Sequence, residues 1–387
     1  MTFDASRQSG EPQWSWGLRL ELAGDVRGAI EAYSRATDAG EEPQHPRTIL
    51  RCAEQLEGRG VHDTAEPMFR RVQGAAEPSV RAQAWRGIAR YLMDRGQMTD
   101  AVVAFRTIIE TGDPEETPRA YRNLGTVFED HFGDLAGARS AYESAVRCEH
   151  PQHSPGARVN LAQLFDRQGD HANAERLFRE AIASGHPIEA RRSRVLMGMM
   201  VEERGDVGSA LQWYLSAIGD EGLEWTQRAA FGAGSIYLMQ LGDVRRAADL
   251  FRIAEQLDDP AQATSASFLR ADAERQSGNH EAALASYLRV VNAEVSGEAQ
   301  FAAAKQAGVI LLGRNDYAGA RNLLVLAAQA NDPEQRARGW CLLVMCERAL
   351  GNRGEAITAF RHATAPGAPE DVRRMASQSL AELGARR

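Results

Sequence analysis

Alanine stands at positions 29, 65, 101, 138, 174, 210, 247, 283, 320 and 356, so that successive copies lie 36 or 37 residues apart. Four residues after each comes Tyr33, Phe69, Phe105, Tyr142, Phe178, Tyr214, Phe251, Tyr287, Leu324 or Phe360, which makes nine of the ten positions aromatic in a chain that is only 7% aromatic. Five residues before each alanine come Gly24, Gly60, Gly96, Gly133, Gly169, Gly205, Gly242, Gly278, Asn315 and Gly351. A fixed period of this length marks stacked supersecondary units, because one unit cannot bury its own apolar face and must lean on the next. This escapes the usual expectation that 387 residues divide into two or three compact domains, since a stack grows in one dimension.

Within a unit, the alanine, the aromatic four later and a small or β-branched residue seven later, such as Ala210, Tyr214 and Ala217, share one face of a helix. The glycine five residues earlier suits the left-handed position that ends a preceding helix. Reading back from it, each unit shows a first helix of three to four turns, for example Ala84 to Arg95. Pro43, Pro78, Pro114, Pro151, Pro187, Pro260, Pro333 and Pro369 lie between units, often with carboxylates just after them, as helix starts require. Each unit therefore reads as helix A, turn, helix B, loop. The expected fold is all-α, a right-handed α-solenoid of about ten helix-turn-helix repeats with a C-terminal capping helix. The expected boundaries are a disordered segment over 1–10, the solenoid over 11–369, and the capping helix and tail over 370–387, with Val372, Met375, Ala376, Leu380 and Leu383 forming the apolar face of the last helix.

Helix A carries a large residue, a leucine three later, a small residue and another large one, as in Tyr121, Leu124, Gly125 and Phe128. With the glycine, alanine, aromatic and proline that follow, this resembles the tetratricopeptide repeat from about Gln13 to Pro369, and more weakly the Sel1-like repeat. The period exceeds the usual one of this family, and repeat four holds one further residue between Phe128 and Gly133, which predicts an extended turn there. Repeat nine departs most, with Asn315 and Leu324 in place of glycine and aromatic.

The resemblance implies that helix A lines a concave groove through the second, fifth, ninth and twelfth positions of each unit. On that register Arg47, Leu50 and Glu54 fall in repeat two, Gln83, Arg86 and Arg90 in repeat three, and Arg119, Arg122 and Thr126 in repeat four. Asn123 and Asn160 occupy the sixth position of consecutive repeats, where amides suit a peptide backbone. Further along come Val195 and Met199, Ile236 and Met239, then Val309, Leu312, Cys341 and Met345. The arginines predict a basic stretch suited to carboxylates, unless they merely pair with neighbouring Glu and Asp. The later residues predict an apolar docking surface, unless neighbouring helices cover them.

The formal charge of -8 argues against general nucleic-acid binding, which needs a basic footprint. No stretch approaches a membrane span, and no secretion signal opens the chain. Four scattered cysteines fit reduced thiols, hence a cytoplasmic protein. The only lysine, Lys305, is followed by Gln306, which excludes a P-loop, and His280-Glu281 lacks the second histidine of a zinc protease. Gly232 and Gly234 read as packing glycines, and Cys341 and Cys346 as packed side chains. Cys148, His150 and His153 offer zinc-ligand types in one loop, but no fourth ligand is evident, so no metal and no cofactor is expected. The resulting expectation is a non-enzymatic interaction scaffold that binds a protein or peptide with an acidic segment or a free C-terminal carboxylate. The alternative is a peptide-responsive regulator of the kind found among bacterial repeat receptors, whose usual N-terminal output domain is not expected here because the repeat begins near Gln13. Oligomeric state and partner identity are not encoded in any of these patterns.

Overall fold

The computed structural model describes residues 10–23, 25–40, 45–219, 223–293 and 297–385. Gly24, Pro43 and residues 1–9 of the N-terminal segment lie outside them. Among the described residues there are 21 helices and no strand. They run in helical pairs, from Gln13–Leu22 with Val26–Asp38 to Pro333–Ala349 with Arg353–Ala363, and most helices pack mainly on their neighbours in sequence. The chain is an α-solenoid divided into two compact units, residues 1–193 and 194–387, with the boundary inside the helix Pro187–Glu203.

The repeat residues act as the periodicity requires. All ten alanines are buried, and so are nine of the ten residues four positions later, Phe360 being half-buried. The turn residue adopts a left-handed conformation at every described copy, including Asn315 at φ 60°. Asparagine replaces glycine there at low cost because it tolerates that region better than other side chains. The next residue is Asp25, Asp134, Asp170, Asp206, Asp243, Asn279 or Asp316 in seven repeats, and its side chain accepts a hydrogen bond from the backbone of helix B. One dipeptide thus ends helix A and caps helix B.

Tyr33, Phe69, Tyr142, Tyr214 and Phe251 each fill a space that a glycine of helix A leaves open. Tyr214 lies between Gly198 of its own repeat and Gly232 of the next, and a Cβ on either would stand 2.7 Å from the ring. Gly234 presents the same open space to Phe251, with a Cβ there 3.0 Å from the ring. Helices A and B approach closely because these positions carry no side chain.

The two longer spacings inside helix A have one structural cause. In repeat four the Asp134 N–H reaches back to the carbonyl of Phe128, and in repeat seven Asp243 reaches Tyr237, whereas the corresponding bond in repeat five runs from Asp170 to Phe165. Repeat seven therefore contains the same one-residue extension as repeat four. This shifts its register, and the groove positions become Phe231, Ser235 and Leu238 instead of Ile236 and Met239.

The last helix, Glu370–Ala385, packs on Pro333–Ala349 and Arg353–Ala363. Val372 and Ala376 are buried against Ala337, Cys341 and Ala363. Met375, expected on the apolar face, is instead exposed. The side chains of Leu380 and Leu383 lie outside the described set.

Candidate functional site

The expected basic stretch lies in residues 1–193, on the first helices of repeats two to five. Arg86 and Arg90 project from Pro78–Asp94, and Arg119, Arg122 and Asn123 from Glu116–Asp130. Pairing with carboxylates prevails over a free basic surface for most of them. Arg86 donates to Glu54 at 2.8 Å and also bonds Glu116, which is almost fully buried. Arg90 Nε donates to Glu57 at 2.6 Å, and Arg47 binds Glu77 through both Nε, at 2.9 Å, and Nη2. Arg119 lies 3.5 Å from Glu116 and 3.9 Å from Glu115. The reason is periodic. A carboxylate on helix A of repeat two and an arginine 32 or 33 residues later face each other across adjacent helices, as Glu54 with Arg86 and Glu57 with Arg90.

Burial still dominates the two inner carboxylates. Desolvation raises the pKa of both Glu57 and Glu116 above the ordinary glutamate value, against the pull of Arg90 on the first and of Arg86 and Arg119 on the second. Glu54, Glu57, Arg86, Arg90, Met93, Phe105, Arg119 and Asn123 line a cavity of about 530 Å³ whose charges are thus largely matched.

Arg122 differs from the other arginines. Among the described residues its guanidinium makes no hydrogen bond and no ion pair within 4 Å, although Glu189 attracts it through space, and burial lowers its pKa. It lines a second, polar cavity of about 460 Å³ with Asn123, Thr126, Tyr142, Asn160, Gln163 and Arg192. Room for it comes from Gly156, where a Cβ would stand 2.8 Å from Arg122 Nη1. The carboxylates of this cavity are Glu129, which is bonded by Arg167 and by Tyr142 at 2.8 Å, and Asp130. Arg192 donates to Asn160 at 3.1 Å and to Gln163 at 2.7 Å, so Asn160 is engaged within the protein. The Asn123 side chain makes no hydrogen bond among the described residues and borders both cavities. The structure thus brings Arg122, Asn123 and Asn160 together, leaves Arg47 apart in a smaller cavity with Glu77, and adds Gln163 and Arg192. Both additions lay at groove positions of repeats five and six, where the same register would have found them.

The apolar stretch lies in residues 194–387 and is only partly exposed. Val195 is 2% exposed and packs with Ala210, Tyr214 and Ile236, itself 1% exposed. Cys341 is also buried, against Val372 and Ala376. These three are core residues, because the fifth position of helix A leans toward the adjacent helix and Ile236 sits out of groove register. Met199, Met239 and Val309 are exposed, and Leu312 and Met345 are half-buried.

The histidines expected in a polar loop are also placed. Glu115, just ahead of the helix Glu116–Asp130, receives His150 Nε2 at 3.0 Å and His153 Nε2 at 2.8 Å, and the two rings stack with centroids 4.7 Å apart. Burial lowers the His153 pKa, while its hydrogen bond lowers that of Glu115. Cys148 is exposed and points instead to the Ser144 carbonyl. No helix of the described residues is long and apolar enough to cross a membrane.

No curated protein matches the chain in sequence. Among solved structures it is similar to a tetratricopeptide repeat protein from Parabacteroides merdae, at 19% identity over 69% of this chain and 98% of that one, with a TM-score of 0.36. It is also similar to the C-terminal part of a repeat protein from Cytophaga hutchinsonii, at 12% identity over 76% and 99%, with a TM-score of 0.44. Pseudomonas aeruginosa PilF matches at 19% identity over 71% and 99%, with a TM-score of 0.35. The family profile described as tetratricopeptide repeat matches residues 87–154, 159–222 and 233–299, just over half of the sequence. The profile match, the buried alanine–aromatic register and the helical pairs agree, and the chain belongs to the tetratricopeptide repeat family.

Proposed function

We propose that this protein is a non-enzymatic scaffold whose partner contributes a carboxylate to the cavity around Arg122, Asn123 and Asn160. The family's fold suggests protein–protein interaction, and the finer reading rests on one observation. In a groove where Arg47, Arg86, Arg90 and Arg119 are paired with glutamates and Arg192 is bonded to Asn160 and Gln163, the Arg122 guanidinium reaches an open polar cavity without a hydrogen bond of its own. A partly desolvated guanidinium gains most from a carboxylate that arrives with it, since charge-assisted bonds strengthen as water is excluded. Asn123 beside it offers a donor and an acceptor to a peptide backbone. An acidic segment or a free C-terminal carboxylate would supply the complementary group. This role narrows the expected basic surface, because Arg47, Arg86, Arg90 and Arg119 hold adjacent segments of the protein together.

The test is a displayed library of short peptides with free C-termini, panned on the full chain. Selected peptides are then titrated by fluorescence anisotropy against wild type and the Arg122→Gln/Asn123→Ala variant. The expected result is acidic or carboxylate-terminated peptides whose binding is lost in the variant while circular dichroism is unchanged. Peptides that bind the variant as tightly as wild type would refute the assignment and direct attention to Met199 and Val309.

A further inference from the structure

Apart from the Arg122 cavity, residues 1–193 contain a convergence of metal-ligating side chains that the partner-binding reading leaves unexplained. One ligand atom from each of Glu115, His150 and His153 can be chosen so that all lie within 4.8 Å of one another. We propose that these three residues form a zinc-class site that joins the start of repeat four to the loop entering repeat five.

The donor set fits zinc. Two imidazoles and one carboxylate, with a fourth position left to water, is a recurrent zinc arrangement. The sequence alone could not complete it, because Glu115 precedes His150 by 35 residues and reaches the loop only when adjacent repeats stack. The site is also preorganised. The loop is pinned by Ser154, whose hydroxyl accepts the His150 N–H at 2.8 Å and donates to the Ala145 carbonyl at 2.8 Å. Glu149 holds the left-handed conformation at φ 51°, unusual for its residue type, and fixes the chain direction into His150. His153 is buried, so both rings already point their Nε2 atoms at one carboxylate.

Two features shape how an ion would bind. The Gln152 N–H donates to His150 Nδ1 at 3.2 Å, which places the His150 proton on Nε2. Coordination through Nε2 needs that proton moved to Nδ1, so the Gln152 contact breaks and the 149–153 loop adjusts, with no net proton released by this ring. Arg119, 3.9 Å from Glu115, must also be tolerated by the ion.

The experiment is isothermal titration of the full chain with zinc chloride, followed by the cobalt(II) absorption spectrum and amide hydrogen exchange. The expected stoichiometry is one ion per chain. Glu115→Gln and His150→Ala should each weaken binding by at least about tenfold, since even changes behind the ligands cost that much. Cys148→Ser should bind as wild type does, and the cobalt spectrum should lack a thiolate charge-transfer band. The Gln152 amide should exchange faster in zinc. His153→Ala is reserved as confirmation because the side chain is buried, and Glu115→Gln keeps the test independent of folding. An absence of zinc binding, binding unchanged in Glu115→Gln and His150→Ala, or binding lost in Cys148→Ser would each overturn the site. None of these outcomes depends on the peptide cavity.

Discussion

Residues 1–193 and 194–387 use one repeat for two kinds of surface. In the first unit, groove positions of helix A carry arginines and carboxylates in a register that bonds adjacent repeats, Glu54 to Arg86 to Glu116 and Glu57 to Arg90. In the second unit, Met199, Phe268, Val309 and Met345 occupy groove positions, and Met199 and Val309 are exposed. The interior beneath both is the same: Phe69 and Tyr214 each fill a space opened by a helix A glycine, Gly87 for the first and Gly198 for the second. The difference teaches that the repeat's buried face fixes the stack, while its groove face is free to be spent on cohesion or on recognition. The arginine ladder of the first unit is mostly cohesion, with Arg122 as the exception.

The largest effect should come where the units agree. Phe69→Ala and Tyr214→Ala should each cost about 3–5 kcal/mol, read as lost hydrogen-exchange protection in the mutated repeat and its neighbours. Equal loss in distant repeats would contradict a stack held by nearest-neighbour contacts.

A smaller effect should separate the units. Arg86→Met removes one partner of the buried Glu116 while Arg119 remains nearby, so the expected cost is about 1–3 kcal/mol, below the about 3–5 kcal/mol of a fully buried pair broken outright. Reversing Arg86 to Glu should be worse than Met, since it sets like charges against Glu54 and Glu116. A reversal that leaves the urea midpoint unmoved would show that the ladder contributes nothing to cohesion.

The ladder also predicts a pH dependence of defined sign. Burial raises the native pKa of Glu57 and Glu116. Between the unfolded and native values the native state holds more protons, so this contribution is fully present below the unfolded pKa and is lost as pH rises through the native one. Glu57→Gln with Glu116→Gln should flatten that decline in urea midpoints measured from acid toward neutral pH. An unchanged slope would mean that Arg90, Arg86 and Arg119 offset the desolvation fully.

The smallest effect is expected on the exposed face of the second unit. Met199→Ser should move stability by less than about 0.5 kcal/mol, and any loss of partner binding in that variant would identify a recognition role that folding does not require.

Much of the architecture was legible because it is local and repeated. Ala210, Tyr214 and the Gly205 turn are related by helix geometry alone, and ten copies average out the exceptions. The caps are legible too, since Asp206 and its counterparts are N-cap residue types placed directly after the residue that ends helix A. The site was less legible. Arg86 and Glu54 are readable as groove residues from register, yet only stacking shows that they neutralise each other. Ile236 falls out of groove register because repeat seven, like repeat four, carries one added residue in helix A, as the Asp243–Tyr237 hydrogen bond shows.

The sequence by itself determined the helical pairs, their number and the face each buries, since periodicity of 3.6 and a period of 36 or 37 residues act over short distances along the chain. Tertiary structure alone decided which charges meet across adjacent helices, that Arg122 reaches an open cavity beside Gly156, and that Glu115 joins His150 and His153. Those outcomes depend on distances between residues some 30 or more positions apart, and a one-residue shift in a turn is enough to change them.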